Sequence, residues 1–328
     1  MNIIERIRER GPITVAAFME LALYDPESGY YARAAQRSGR AGDFFTSVDV
    51  GPIFGELLEV QIAEMATILG PSAGHEGFDL VEAGAGNGRL AADILAAMRL
   101  RDPALFQSIR VHLVEVSATA RAQHRAVLGD CSSRLTASSA ALPEAFDGVL
   151  VANELLDAMP VHHVIQREHE LHEIYIDSDG GRLRLAEGPI SSPGIGDYLA
   201  RIGVELEPGW RADISLSAVE WVREAARRMR RGFMILIDYG HEARELYSVT
   251  HSSGTLTTFS GHRSAGPDAN APAWLASPGE QDITAHVDFT GIQQAAAEEG
   301  LETIALLDQT YFILGLLASS PNDAATPS

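Results

Sequence analysis

Acids and glycines mark the places where this chain can do chemistry. Glu82 follows the apolar pair Leu80-Val81 and precedes Gly84, Gly86 and Gly88. A helical pattern comes next, with Leu90, Ile94 and Met98 on one side. The order is strand, tight turn, helix. Glycines let such a turn close sharply and let a ligand approach bare backbone where a helix begins. A dinucleotide fingerprint wants Gly-x-Gly-x-x-Gly. In this chain the last position of that pattern is Arg89, too bulky for close helix–strand packing. The spacing is instead acid-x-Gly-x-Gly-x-Gly. Glu82, Gly84, Gly86 and Gly88 are therefore candidate ligand-binding residues, although an ordinary glycine-rich turn would use the same residue types.

Three more polar sites follow apolar runs. Glu115 ends the run from Arg110, where an acid suits two ribose hydroxyls. It stands further along the chain than the usual twenty or so residues, which implies a long first helix. Asn153, Glu154 and Asp157 follow the run Asp147–Ala152. Glu154 and Asp157 are three apart and would share one side of a helical turn. They read either as an acidic first turn matched to the helix dipole or as a polar clamp beside a ligand. Asp238-Tyr239 follows Phe233–Ile237. In a doubly wound sheet ligands sit outside the carboxyl ends of the strands, so these ends are expected to converge on one crevice.

The elements that would position them alternate. Before the glycine turn, Thr14 opens a helix with Val15, Phe18, Met19 and Ala22 on one face, and Pro52 opens another that runs to Leu69. After it, strands are expected at 110–115, 134–137, 147–152 and 233–237. Ser117 is expected to cap a helix towards Leu128. Ser217 and Glu220 are expected to form a capping box on the helix before the last strand, with Gly232 closing it. Alternation of this kind predicts an α/β fold with a parallel sheet and helices on both faces. Between the fourth and fifth strands, 161–190 shows short alternating runs around Asp179-Gly180-Gly181, a β-hairpin or meander. Further on, 283–289 reads as a strand, 291–299 as a helix and 301–317 as a closing pair of strands.

Composition removes several functions. The chain has 328 residues, 46% of them hydrophobic, enough for a sizeable core. It has no lysine, and all 25 basic residues are arginine. Schiff-base, P-loop and kinase lysine chemistries are thereby excluded. The net charge of −20 disfavours nucleic acid and favours a cationic partner. Cys131 is the single cysteine, so neither an intrachain disulfide nor a multi-cysteine metal site is available. His162, His163, His169 and His172 lie on alternating strand positions and are not expected to hold a metal. No other metal site is expected. There is no run of 18 apolar residues and no secretory pattern at the start, so a cytoplasmic protein without a membrane segment is expected. The arginines at 227, 228, 230 and 231 crowd a helix end, where the dipole and solvation account for them.

Six stretches carry a resemblance. LYDPESGYY (23–31), GDFFTS (42–47) with IFGE (53–56), VEAGAGNGRL (81–90), ANELLDAMPVH (152–162), IDYG (237–240) and PGEQDITAHVDF (278–289) occur in this order. Together they resemble the MidA-type methyltransferases, the family of the mitochondrial complex I assembly arginine methyltransferase. The resemblance covers nearly the whole chain. It implies a class I methyltransferase, Rossmann-like doubly wound sheet with an N-terminal helical addition and an inserted β segment. It implies S-adenosylmethionine as cofactor and a protein arginine as methyl acceptor in the mitochondrial members. The loop with Phe45, Thr46 and Ser47 is then expected to close over the cofactor. Glu154, Asp157 and Asp43 become the candidate catalytic acids for a guanidinium. The expected organisation is a helical cap and active-site loop over 1–73, a cofactor-binding domain over 74–318 with an insertion at about 161–215, and a disordered tail over 319–328. A small-molecule O- or N-methyltransferase, or a non-catalytic assembly factor that keeps the pocket, would share the same motifs. Oligomeric state is not legible in the sequence.

Overall fold

The structure, a computed structural model, describes residues 3–33, 51–70, 77–260, 263–265 and 272–319. Asp43, Phe45, Thr46 and Ser47 lie outside the described residues, as does the tail beyond 319. The chain opens with α1 (Ile3–Arg10), β1 (Ile13–Thr14), α2 (Val15–Tyr24) and α3 (Tyr30–Arg33). An alternating run follows: α4 (Ile53–Leu69), β2 (Phe78–Ala83), α5 (Arg89–Arg101), α6 (Pro103–Ser108), β3 (Ile109–Val114), α7 (Ala118–Arg121), α8 (His124–Leu128), β4 (Leu135–Ser139) and β5 (Phe146–Asn153). Then come β6 (His162–Gln166), β7 (Leu171–Asp179), β8 (Arg182–Pro189), α9 (Pro193–Ile202), β9 (Arg211–Ile214), α10 (Leu216–Arg228) and β10 (Met229–Ile237). The last elements are β11 (Gly240–His241), α11 (Ala243–Leu246), β12 (Thr257–Ser260), β13 (Arg263–Ala265), β14 (Asp282–Thr284), β15 (Val287–Asp288), α12 (Phe289–Glu298) and α13 (Gln309–Ser319).

These elements divide into two compact units. One gathers the described residues of Thr46–Asn153, Arg228–Ile237 and Thr303–Ser328. The other gathers those of Met1–Phe45, Glu154–Arg227 and Asp238–Glu302. In the first of these units α4 packs on the sheet: its Phe54, Leu58 and Ile62 share a core with Leu90, Ile94, Leu95 and Met98 of α5 and with Leu80, Val111 and Val149 of the sheet. Gly55 permits this crossing, since a Cβ there would stand 2.6 Å from the Asp93 Cβ.

The first unit is built on a parallel sheet in the order β10-β5-β2-β3-β4. The chain moves outward from β2 to β4, then returns to β5 on the other side of β2. That reversal is the switch point at which open α/β sheets hold ligands. All six residues of β2 are buried, as a central parallel strand requires. Two glycines set the spacing of three adjacent strands. A Cβ on Gly148 would meet the Asp79 carbonyl oxygen at 2.0 Å, and one on Gly232 would meet the Gly148 carbonyl oxygen at 2.0 Å. Gly232 thus belongs inside β10 rather than at a helix end, because the strand begins directly after Arg228.

Asp79 ties β2 to its two neighbours, β3 and β5. Its carboxylate accepts from Arg110 Nε at 2.9 Å and Nη2 at 2.8 Å, and from the Asp147 amide at 3.0 Å, with His112 Nε2 at 3.1 Å. Although burial opposes the charge, these bonds and cations lower its pKa to about 2. The crowded arginines also find local partners. Arg227 bonds Glu220 and Glu299, Arg228 the carbonyls of Leu142 and Pro143, Arg230 Asp147, and Arg231 the Gly70 carbonyl.

The second unit carries the inserted β segment as an antiparallel sheet, β1-β7-β6-β9 with β8 on β7. The β7–β8 hairpin turns at Gly180 and Gly181, whose positive φ of 55° and 87° suits a two-residue turn. Ile13 and Thr14 extend this sheet by pairing with Ile176 and Tyr175. Val15, Phe18, Met19 and Leu23 of α2 form its core with Ile174, Ile176, Trp274 and Ile283.

Several local expectations change. Thr14 caps α2 through the Ala17 amide, as expected. Ser117 caps α7, but the helix breaks before α8. On α10 the capping oxygen is Ser215 Oγ, 3.1 Å from the Ala218 amide, while Ser217 Oγ donates to the Pro160 carbonyl at 2.9 Å. Residues 283–289 give two short strands. Asp288 then caps α12 through the amides of Thr290 and Gly291, which draws Phe289 into the helix. The pair of strands expected over 301–317 is absent: 301–308 is irregular and α13 follows. A strand needs a neighbour to satisfy its amides, whereas a helix bonds its own.

The Asp79 pairing has a measurable consequence. Its folded-state pKa lies below the unfolded value, so its stabilisation is present above about pH 4 and is lost as pH falls towards 2. Asp79→Asn is expected to lower unfolding free energy by about 2–3 kcal/mol at pH 7, with the gap closing between pH 4 and 2, read by urea denaturation at each pH.

Candidate functional site

The glycine turn stands at the carboxyl end of β2. Gly84, Gly86 and Gly88 adopt φ of 70°, 52° and 87°, values that favour glycine. Gly88 and Gly86 do different jobs. A Cβ on Gly88 would press on Leu113 and His124 at 3.2 and 3.3 Å, so Gly88 supplies the close packing that Arg89 cannot. At Gly86 no described atom lies within 4 Å of such a Cβ, so no described residue crowds that backbone. Arg89 points outward, 3.8 Å from Asp93.

Acids and a histidine hold the turn in shape. Glu115 Oε2 accepts the Gly86 amide at 2.9 Å, and its Oε1 accepts the Ser117 amide at 2.7 Å. A carboxylate has about four lone-pair sites, so two remain for a ligand. Behind the turn, fully buried His124 bonds the Gly86 carbonyl through Nε2 at 2.9 Å and Ser138 Oγ through Nδ1 at 2.9 Å. A carbonyl only accepts, so Nε2 carries the proton. Nothing local in the sequence marks His124; its partners are 14 and 38 residues away.

Glu82 is 5% exposed and accepts the Ala91 amide in the first turn of α5 at 3.1 Å. Burial raises its pKa to about 8, with the Glu115 and Asp93 charges adding to the rise. Its shown contact is with the helix. Asn153 ends β5, one strand away from β2, and its Oδ1 is buried without a hydrogen-bond partner among the described residues.

A second group of acids lies in the other unit. Glu154 and Asp238 directly follow Asn153 and Ile237, the last paired residues of β5 and β10. Residues 154–160 form turns, not a helix, so the helix-dipole reading of Glu154 and Asp157 does not hold. Glu154 has φ 50°, the one non-glycine residue among those described with positive φ. That conformation costs on the order of 1 kcal/mol. Asp238 Oδ2 accepts the amides of Leu156 at 2.8 Å and Asp157 at 3.4 Å. These bonds fold the turn around its carboxylate.

The charges in this group oppose one another. Asp157 is 8% exposed, and burial with the charges of Asp238, Asp282 and Glu154 raises its pKa far above the carboxylate range. Burial pushes Asp238 up to about 6, against the pull of its backbone amides. Tyr31 Oη donates to Asp282 Oδ1 at 2.9 Å, and burial beside these acids raises the Tyr31 pKa. Asp282 and Tyr31 join the group from 251 residues apart, so sequence spacing carries no sign of it. Asp238 was visible as a polar strand end, but its partnership with Asp157 was not.

Comparison with known proteins gives this arrangement a class. Residues 57–307 match the model of a family described as S-adenosyl-L-methionine-dependent methyltransferases. The chain belongs to that family. A crystal structure from Burkholderia thailandensis, bound to S-adenosyl-homocysteine, superposes with a TM-score of 0.84. It is 31% identical, over 96% of this chain and 79% of that one. The mitochondrial protein arginine methyltransferase NDUFAF7 homolog of Drosophila melanogaster is 31% identical over 331 residues, 90% of this chain and 69% of that protein. The human mitochondrial protein arginine methyltransferase NDUFAF7 is 30% identical over 90% of this chain and 68% of its own length.

The methyltransferase fold and its cofactor, S-adenosylmethionine, agree with the spacing from Glu82 to Gly88. The residues present fit that cofactor. No described residue crowds the Gly86 backbone, and Glu115 is held with acceptor capacity to spare. Two glycine variants separate holding the fold from holding the ligand. Gly86→Ala is expected to cost about 1 kcal/mol of stability and to weaken S-adenosyl-homocysteine binding at least about tenfold in calorimetry. Gly148→Ala, with backbone in the way, is expected to cost more than about 3 kcal/mol or to prevent folding.

Proposed function

We propose that this methyltransferase acts on a protein arginine, and that Glu154, Asp157 and Asp238 receive its guanidinium. The observation that carries the reading is the burial of Asp157 beside the charges of Asp238, Asp282 and Glu154, which raises its pKa. A carboxylate opposed in this way is relieved by a cation. A guanidinium is permanently charged and forks onto carboxylates through paired N–H donors. Both NDUFAF7 relatives are named protein arginine methyltransferases, which supports the same acceptor.

The residues divide the work. Gly84, Gly86 and Gly88 receive the cofactor along bare backbone. Glu115 uses its two remaining acceptor sites for ribose hydroxyls. Asn153 Oδ1, buried and unbonded among the described residues, offers a further acceptor. When bound, S-adenosylmethionine supplies a methyl group on a sulfonium sulfur. Transfer then depends on aligning the acceptor nitrogen with that methyl and excluding water. Carboxylates on one side of the guanidinium draw its positive charge to one nitrogen and leave another more nucleophilic. The nitrogen that gains the methyl gives up a proton, and Glu154 and Asp157 are the candidate groups to take it. The strained backbone at Glu154 fits a residue held for use rather than for packing. Asp43 stays a candidate from the sequence alone.

Two measurements test the reading. Glu154→Gln is expected to abolish transfer of labelled methyl to protein arginine while S-adenosyl-homocysteine still binds; unchanged turnover would remove Glu154 from the role. The pH profile gives the second. A guanidinium does not titrate below pH 12, so the change comes from the acids. Cation binding needs them ionised, and Asp238 sits near pH 6. With an arginine peptide, kcat/KM is expected to rise between about pH 5 and 7 as Asp238 ionises, and to go on rising above that range as Asp157 ionises. A flat profile across that range argues against these acids as the acceptor site.

A further inference from the structure

Three histidines meet in the second unit, apart from the four that the sequence brought forward. We infer that His241, His251 and His286 form a binding site for a divalent transition-metal ion of the zinc type. One ring nitrogen from each lies within 4.8 Å of the others. The ring centroids are 4.9, 5.3 and 5.8 Å apart, with tilts of 40°, 45° and 69°. The rings therefore converge rather than stack. A tetrahedral zinc, about 2.0–2.1 Å from each nitrogen, would hold them about 3.3 Å apart, within reach of small side-chain rotations.

The backbone brings the three together. His241 ends β11 and His286 immediately precedes β15, and these two strands pair in parallel. The Val287 amide donates to the Tyr239 carbonyl at 2.8 Å, and the His286 amide to Thr255 Oγ1 at 3.0 Å. His251 ends a short 3-10 turn, Val249–His251, after α11. Sequence spacing alone could not join positions so unevenly placed.

The outer hydrogen bonds have the pattern metal-bound imidazoles need. Such rings offer one nitrogen to the ion and anchor the other on a carboxylate or a carbonyl. Glu245 serves both rings. Its carboxylate lies 3.3 Å from His241 Nδ1, and its backbone carbonyl lies 3.1 Å from His251 Nδ1. Each ring then has Nε2 left to offer. His286 Nδ1 is buried with no hydrogen-bond partner among the described residues. Burial, with His241 and His251 beside it, also lowers its pKa, which keeps the ring neutral as a ligand must be.

The donor set chooses the ion. Three imidazoles without a thiolate suit zinc, nickel or copper, whereas magnesium and calcium want oxygen. The fourth position is left to water. An ion there would clip the 3-10 turn and β11 to the segment before β15. None of this rests on the methyl-transfer reading.

Zinc and magnesium binding to the tag-free full chain provides the test, by calorimetry and by metal content after dialysis. About one zinc per chain is expected at micromolar affinity or better, with a higher melting temperature and no response to magnesium. His251→Ala and His286→Gln are each expected to weaken zinc at least about tenfold, with circular dichroism confirming the fold. Absence of zinc binding to the unaltered chain at tens of micromolar, or equal affinity in both variants, would overturn the site.

Discussion

A carboxylate removed from water must be answered by a cation or by hydrogen bonds, or it takes up a proton. Much of this structure follows from how each buried acid meets that demand. Asp79 is answered fully, by Arg110, His112 and a backbone amide, and it joins the strands at the start of the sheet. Glu115 is answered in part, by two amides of the glycine turn, which leaves it able to accept more. Asp157 is opposed: burial and the charges of Asp238, Asp282 and Glu154 hold it towards the neutral form, against the pull of the Ala158 amide.

The sheet shows a related limit on space. Three parallel strands approach so closely at Asp79, Gly148 and Gly232 that two of the three residues must lack a side chain. The same economy appears at the turn, where Gly88 makes room for packing and Gly86 is crowded by no described residue. The family's cofactor, S-adenosylmethionine, suits a backbone left uncrowded in this way. The sheet, pinned by Asp79 and spaced by its glycines, carries Glu82, Glu115 and Asn153 at or just after the carboxyl ends of β2, β3 and β5.

Local patterns were legible where a segment's neighbours in space are also its neighbours in sequence. The strand–turn–helix at Glu82–Gly88, the alternation of the main sheet, the Thr14 cap and the β7–β8 hairpin all follow this rule. Misreadings arose where two local solutions were nearly equal. Ser215 and Ser217 both donate to the Pro160 carbonyl, but Ser215 stands just before α10 and accepts the Ala218 amide, whereas Ser217 lies inside the helix. The apolar run over 301–317 allows either strand or helix, and a strand without an edge to join leaves its amides unsatisfied. Gly232 resembles a helix stop until β5 is seen beside it.

By itself, the sequence excluded other reaction classes and carried the methyltransferase reading through its resemblance to a known family. The spacing from Glu82 to Gly88 rejects a dinucleotide because Arg89 stands where a glycine would be needed. The absence of lysine removes other chemistries outright, and both facts depend on residue identity alone. Tertiary structure decided which acids act as a group. Tyr31, Asp157, Asp238 and Asp282 come from segments scattered over most of the chain, and charges interact through space and dielectric, not through sequence distance. The same holds for His241, His251 and His286, whose convergence depends on the pairing of β11 with β15 and on one glutamate orienting two rings.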